Sequence, residues 1–378
     1  MVSIGAFLML SALGGLYLGR PKPIHTRVNE CIRACGLGIM KGKRQLWPIL
    51  THIGKRDNGI DLIYQVPFGL CLEDFKKFEK EIQFASGGKV LIEQNGGYVI
   101  VKIRKGLPKM VKYKIPTISN MIIPIPIGMS FDKFAIVDLI KLPHMLVSGL
   151  TNSGKSNFLH QVIATILLLS NTKLFVMDFK KVEFSYLKRH ARVERCRKVE
   201  DAIEVVNWLL KEMYTRQEMF EEAETVNIQE YNEKHEPLPY YCLIIDELIE
   251  VAPELVRNKK QKEILADIQD KIAKIAALSR ALGIHLIIAT QRPSAKVMPG
   301  ELKTHFGGTL TFRMMNADNS KIVLGHGGAE KLSTDPGRAI WQHGPDETEV
   351  QVAHLPVSLA RSLVYSQQPV LEVPSELI

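Results

Sequence analysis

The sequence predicts an α/β fold with a mainly parallel sheet, and three observations predict it. From about residue 130 onward, short apolar runs alternate with helical patterns; the runs are HMLVSG, KLFVMDF, YYCLIIDE, IHLIIATQ and GTLTFRM. Strands that are apolar on both sides belong in a parallel sheet covered on both faces. The first run breaks into Gly149-Leu150-Thr151-Asn152-Ser153-Gly154-Lys155-Ser156 and then a helical pattern, and the third ends in Asp246-Glu247. The longest helical pattern, from Lys259 to Leu282, sets Ile264, Ile268, Ile272, Ile275 and Leu282 on one side, with Gly283 just past its end.

The 378 residues leave room for two or three domains, and a charge imbalance marks where the first part ends. Residues 1–130 hold 19 Lys and Arg against 8 Asp and Glu, a balance of +11, whereas the remainder holds 30 against 32. Residues 1–19 carry no charge, and the basic stretch 20–57 follows them directly. An apolar run of this length is just enough to cross a bilayer core. With Lys and Arg only on its C-terminal side, it is expected to be a transmembrane anchor whose following chain stays in the cytoplasm, against the cytoplasmic (inner) membrane. Five cysteines at 31, 35, 71, 196 and 242 suit a reducing compartment rather than a disulfide frame. No second Cys/His pair follows Cys31 and Cys35 at zinc-site spacing.

Residues 58–124 read as a small α+β domain with a proline-rich linker. IDLIYQV is a strand, CLEDFKKFEKEIQFASGG a helix stopped by Gly87, and KVLIEQ with GYVIVKI a hairpin about Asn95-Gly96-Gly97. Pro108, Pro116, Pro124 and Pro126 then exclude a helix before the large α/β unit, expected over 125–365, with a tail at 366–378.

Gly149-x-x-x-x-Gly154-Lys155-Ser156 is a phosphate-binding loop, placed after a strand and before a helix as its mechanism requires. Its glycines let successive N–H groups turn toward one phosphate, and the helix adds the positive end of its dipole. Lys155 can reach the β/γ-phosphates, and the Ser156 hydroxyl can bind Mg2+. Asp246, at a strand end, suits the cation's water shell, and Glu247 is placed to orient or deprotonate a water. Gln291, closing LIIATQRP, can sense the terminal phosphate or hold that water. The residues alone therefore predict Mg2+-dependent hydrolysis of a nucleoside triphosphate.

With these elements in order, the chain resembles the FtsK/SpoIIIE family of double-stranded DNA translocases, part of the HerA/FtsK class, over about residues 125–345. HMLVSGLTNSGKSN, MDFKKVEFSYL, YYCLIIDEL, LSRALGIHLIIATQRPS and NSKIVLGHGGAEKL carry the resemblance. It implies a RecA-like P-loop NTPase that assembles as a homo-hexameric ring, with ATP at subunit interfaces and DNA in the channel. The layout is similar to FtsK-like coupling proteins of conjugative elements, which implies secretion-channel or relaxase-type partners. The expected function is a membrane-anchored, ATP-driven DNA translocase in conjugative transfer or DNA segregation. The alternatives are a nucleotide-gated docking scaffold or a soluble helicase-like replication ATPase.

The sequence departs from the family's pattern in three places. Asn152 stands where the family's loop has a glycine, a substitution that asparagine's tolerance of left-handed backbone allows. Thr309 stands where the family has an arginine. Arg313, four residues on and on the same strand face, is the candidate to complete a neighbour's site, with Arg280 second. No winged-helix DNA-reading module is expected after GGAEKL. The near-neutral motor gives no electrostatic footprint for DNA; Lys180-Lys181 and Lys188–Lys198 are its visible basic clusters.

Overall fold

The computed structural model describes residues 22–366 apart from 57, 132, 295, 296, 298 and 299. The expected anchor at 1–19 and the tail beyond Ser366 lie outside the described residues. Among the described residues, no helix is long and apolar enough to cross a membrane. The chain divides into two compact units between Gly106 and Leu107.

The first unit begins with α1 (Ile24–Ala34), a short hairpin of β1 (Ile39–Lys41) and β2 (Arg44–Leu46), and strands β3 (Ile49–Arg56) and β4 (Gly59–Gln65). Helices α2 (Leu72–Lys76) and α3 (Glu79–Ser86) and the hairpin β5 (Lys89–Asn95) and β6 (Tyr98–Arg104) complete it. Its antiparallel sheet runs β3-β4-β6-β5. Val28 and Ile32, one helical turn apart on α1, are buried with Leu62, Tyr64, Phe75, Ile82, Val99 and Val101. The stretch expected to be a basic juxtamembrane segment is therefore built into this fold. Val28, Ile32 and Leu37 enter the core while Arg33, Lys41, Lys43, Arg44, Lys55 and Arg56 stay exposed. The single helix predicted over 71–88 is two, because Phe78 leaves the helical path between them; Gly87, at φ 69°, ends the second.

The second unit opens with β7 (Pro124–Met129), β8 (Phe134–Asp138), β9 (His144–Ser148), α4 (Lys155–Leu169), β10 (Thr172–Met177) and β11 (Val193–Cys196). Helices α5 (Val199–Glu222) and α6 (Ile228–Lys234) precede β12 (Tyr240–Ile245), α7 (Lys259–Leu278) and β13 (Ile284–Thr290). Then come α8 (Gly300–Thr304), β14 (Gly308–Phe312), α9 (Ala317–Leu324), β15 (Arg338–His343), β16 (Asp346–Gln351) and α10 (Val357–Tyr365). The sheet order is β11-β10-β12-β13-β9-β14-β15-β16-β7-β8. Neighbours are parallel from β11 to β14 and antiparallel beyond. The sheet is thus a mainly parallel α/β sheet of P-loop type. One face is packed with Val205, Leu209, Ile268 and Ile272 from α5 and α7, the other with Phe158, Val162 and Ile166 from α4 and Ala360 from α10.

The proline-rich stretch after Gly106 belongs to this second unit. Tyr113 is buried, its N–H donates to the His354 carbonyl (3.0 Å), and the His354 N–H donates to the Val111 carbonyl (2.6 Å). Thr165 gives its hydroxyl proton to the Gln161 carbonyl (2.7 Å), so the Tyr113 hydroxyl donates to Thr165 (2.8 Å). These bonds tie the stretch to the motor sheet and α4, which is why the division falls at 106/107 rather than at the expected 124/125.

Candidate nucleotide site

The parallel register brings the C-terminal ends of three central strands to one edge: Ile245 pairs with Ile288, and Thr290 with Ser148. The loops that follow therefore meet. Gly149 follows β9, Asp246 follows β12 and Gln291 follows β13.

Crowding dictates the glycines of the phosphate loop. A Cβ on Gly149 would lie 2.6 Å from both the Phe312 Cβ and the Ser153 Oγ. One on Gly154 would lie 2.9 Å from the Gly337 nitrogen, and Gly154 also takes φ 115° to start α4. Asn152 adopts φ 63°, the left-handed turn that asparagine was expected to tolerate. The Gly149 N–H donates to the Thr290 carbonyl (3.2 Å) and the Leu150 N–H to the Arg313 carbonyl (3.1 Å), while the Ser153 carbonyl accepts from Gly337 (2.8 Å). The first intrahelical bond of α4 runs from Phe158 N–H to the Gly154 carbonyl (2.9 Å). The N–H groups ahead of it, including those of Lys155 and Ser156, have no acceptor within the helix and carry its positive dipole end.

Lys155 and Asp246 are both buried and paired: Nζ lies 2.9 Å from Asp246 Oδ1 and 2.5 Å from the Asp246 carbonyl. Glu247 is also buried. Its carboxylate accepts from Thr290 Oγ1 (3.0 Å) and from the Gln291 N–H (3.1 Å to each oxygen). The Gln291 side chain accepts from the Thr151 hydroxyl (2.9 Å), so the amide is fixed to the phosphate loop itself. A cleft of about 590 Å³ opens beside it, lined among others by Leu150, Thr151, Ile249, Gln291, Arg292 and Asn319. Backbone N–H groups around a lysine, with the oxygen donors Ser156 and Asp246 beside it, fit a polyphosphate and a hard cation such as Mg2+.

The structure brings Gly149 to Ser156, Asp246, Glu247 and Gln291 together at one edge. Arg313 is one residue past the end of β14, rather than on its face, and lies with its backbone against the phosphate loop of its own chain. Thr309 is buried within β14, and Arg280 is exposed before β13, at the opposite end of that strand from Gln291. Two further site residues have no local signature. Thr290 holds Glu247. Glu183, in the loop after β10, has Oε1 3.3 Å from Ser156 Oγ and Oε2 3.7 Å from His160 Nε2; the His160 ring beside it holds its carboxyl below the usual range.

The FtsK/SpoIIIE family model matches residues 117–242 and 234–295, the stretch that holds the loop, the acid pair and Gln291. The chain carries an FtsK/SpoIIIE-family domain. DNA translocase FtsK of Borreliella burgdorferi is 34% identical to it over 223 residues, 56% of this chain and 27% of that protein. DNA translocase FtsK of Staphylococcus epidermidis is 32% identical over 242 residues, 60% of this chain and 29% of that protein. The match thus takes in less than a third of these curated relatives. The solved monomer of the pCW3 conjugation coupling protein TcpA, with ATPγS, is similar over 91% of this chain and 99% of its own. It does so at 25% identity and a TM-score of 0.67. The FtsK/SpoIIIE-type domain is therefore matched in sequence by FtsK translocases and in fold, over nearly the whole chain, by a coupling protein.

Proposed function

We propose that this chain is a Mg2+-dependent ATPase whose hydrolysis drives DNA translocation. One observation carries the reading: a crowded phosphate loop, its lysine, an acid pair and a glutamine meet at one edge of a parallel sheet. Ser156 and Asp246 would hold Mg2+, which when bound neutralises charge on the β/γ-phosphates. Lys155, held by Asp246 in this structure, is the cation that exchanges that partner for phosphate oxygens. Glu247 keeps lone pairs free beyond its bonds to Thr290 and Gln291, and so can take the proton of an attacking water. The Gln291 amide nitrogen is left to donate, since its oxygen is already engaged by Thr151.

Similarity to a conjugation coupling protein over most of the chain favours a motor of DNA transfer. In this reading residues 1–19 anchor it in the cytoplasmic membrane, with the motor on the cytoplasmic side. Six copies enclose double-stranded DNA, Arg313 completes a neighbour's site, and a secretion channel or relaxase-type protein is the partner. The test is ATP hydrolysis by the full chain with and without duplex DNA, together with strand displacement on duplex. DNA-stimulated turnover that Glu247→Gln abolishes supports the reading. Turnover indifferent to that substitution overturns the role of Glu247, and turnover indifferent to DNA overturns the motor.

A further inference from the structure

The motif MDFKKVEFSYL builds the loop after β10, and neither the phosphate loop nor the acid pair gives it a role. Asp178, fully buried, organises this loop. Its carboxylate accepts the N–H groups of Lys181 (2.9 Å) and Phe184 (3.4 Å) and pairs with Arg195 (3.1 Å). Lys181 turns the backbone through φ 65°. Phe184 is buried edge-on against the His160 ring, 5.1 Å between centroids. The buried Tyr186 contacts His160 Nδ1 through its hydroxyl (3.0 Å), and its carbonyl accepts from Tyr365 (2.8 Å). Between these anchors stands Glu183, its side chain 40% exposed, with one oxygen at Ser156 and the other toward His160.

A carboxylate beside a loop built for phosphate is costly unless a cation also sits there, because like charges at this range repel. Ser156 has one hydroxyl proton, and Glu183 accepts it. The serine's lone pairs are thereby left for a cation. We infer that Glu183 is a positioning residue of the nucleotide site, orienting Ser156 and adding negative charge on the cation's side, and that His160, clamped by Tyr186, holds it in place. This rests on the proposed Mg-nucleotide reading of the site.

The experiment follows a fluorescent ATP analogue binding to the full chain, in EDTA and across a Mg2+ titration, for the parent, Lys155→Ala, Glu183→Gln and Glu183→Asp. Groups that orient a metal ligand typically change metal affinity by tenfold or more, so Glu183→Gln should raise the Mg2+ midpoint on the order of tenfold. Its affinity in EDTA should hold or rise, since a repelling charge is gone, and Glu183→Asp should recover most of the midpoint. An unchanged midpoint overturns the inference. So does a fall in EDTA affinity together with melting temperature, which would make Glu183 a structural support only. If the parent binds no analogue, or Lys155→Ala binds as well as the parent, the nucleotide site itself falls and this inference with it.

Discussion

Strands β9 and β13 bury polar side chains at both ends, and the two ends handle them differently. At the N-terminal end, His144 and His285 are buried as neutral rings. The Leu286 N–H donates to His144 Nδ1 (3.1 Å) and His285 Nδ1 donates to the Pro143 carbonyl (3.0 Å), while neither Nε2 makes a well-formed hydrogen bond among the described residues. Burial pushes the pKa of His144 down to about 3 and that of His285 to about 4. At the C-terminal end, Lys155 and Asp246 are equally buried but keep each other as partners, and the Glu247 carboxylate is met by Thr290 and Gln291. Neutral groups can be left half-satisfied inside a core at modest cost, but charged ones require a partner there. On the proposed reading, the end that exchanges partners with a nucleotide is the end where each charge already has one.

The largest effect expected is on turnover. Glu247→Gln keeps the shape and loses the base, so hydrolysis should fall by about 10²–10⁴-fold while nucleotide still binds. A binding assay beside a phosphate-release assay checks the split. Next comes Lys155→Ala, which leaves Asp246 buried without its cation. Breaking such a pair typically costs about 3–5 kcal/mol, so thermal unfolding should show a clear drop along with lost nucleotide binding. The double variant Lys155→Met/Asp246→Asn should regain much of the melting temperature and none of the binding. If it stays as unstable as the single variant, the pair was not what held this end together.

The histidine end makes a pH prediction. Both folded pKa values lie below the ordinary 6.5, so the unfolded chain takes up protons first as the pH falls. This part of the stability is intact above pH 6.5 and drains away between 6.5 and about 3, the share of His285 being lost by about 4. Melting temperatures at pH 7, 5.5 and 4.5 should decline in the parent, and His285→Leu should flatten part of that decline even though it starts lower. An equal slope would place the acid sensitivity elsewhere. The smallest effect is expected at neither end: Tyr113→Phe removes one buried hydroxyl bond and should cost about 1 kcal/mol in denaturant unfolding, with turnover unchanged.

What could be read from the sequence was what local chemistry writes in consecutive residues. The phosphate loop, Asp246-Glu247 and Gln291 were legible because each closes an apolar strand, and parallel register alone then brings them to one edge. Glu183 lies within MDFKKVEFSYL with no local signature of a role, because its tie to Ser156 depends on a loop folded around Asp178. Thr290 was hidden as one more residue of a buried strand. The first helix was masked by the charges around it, although Val28 and Ile32 have helical spacing. Two-residue spacing extends β14 through Arg313, but the strand ends one residue earlier, where Phe312 packs against Gly149 and Gly154.

The bonds among Val111, Tyr113, His354 and Thr165 also fix where the motor unit can be cut. A fragment beginning at residue 125 would strip the carbonyl and amide of His354 of their partners and bare the hydroxyl of Thr165 in the middle of α4. One beginning at 107 keeps all three covered. Limited proteolysis should accordingly nick near Gly106 well before it cuts between Val111 and Pro124.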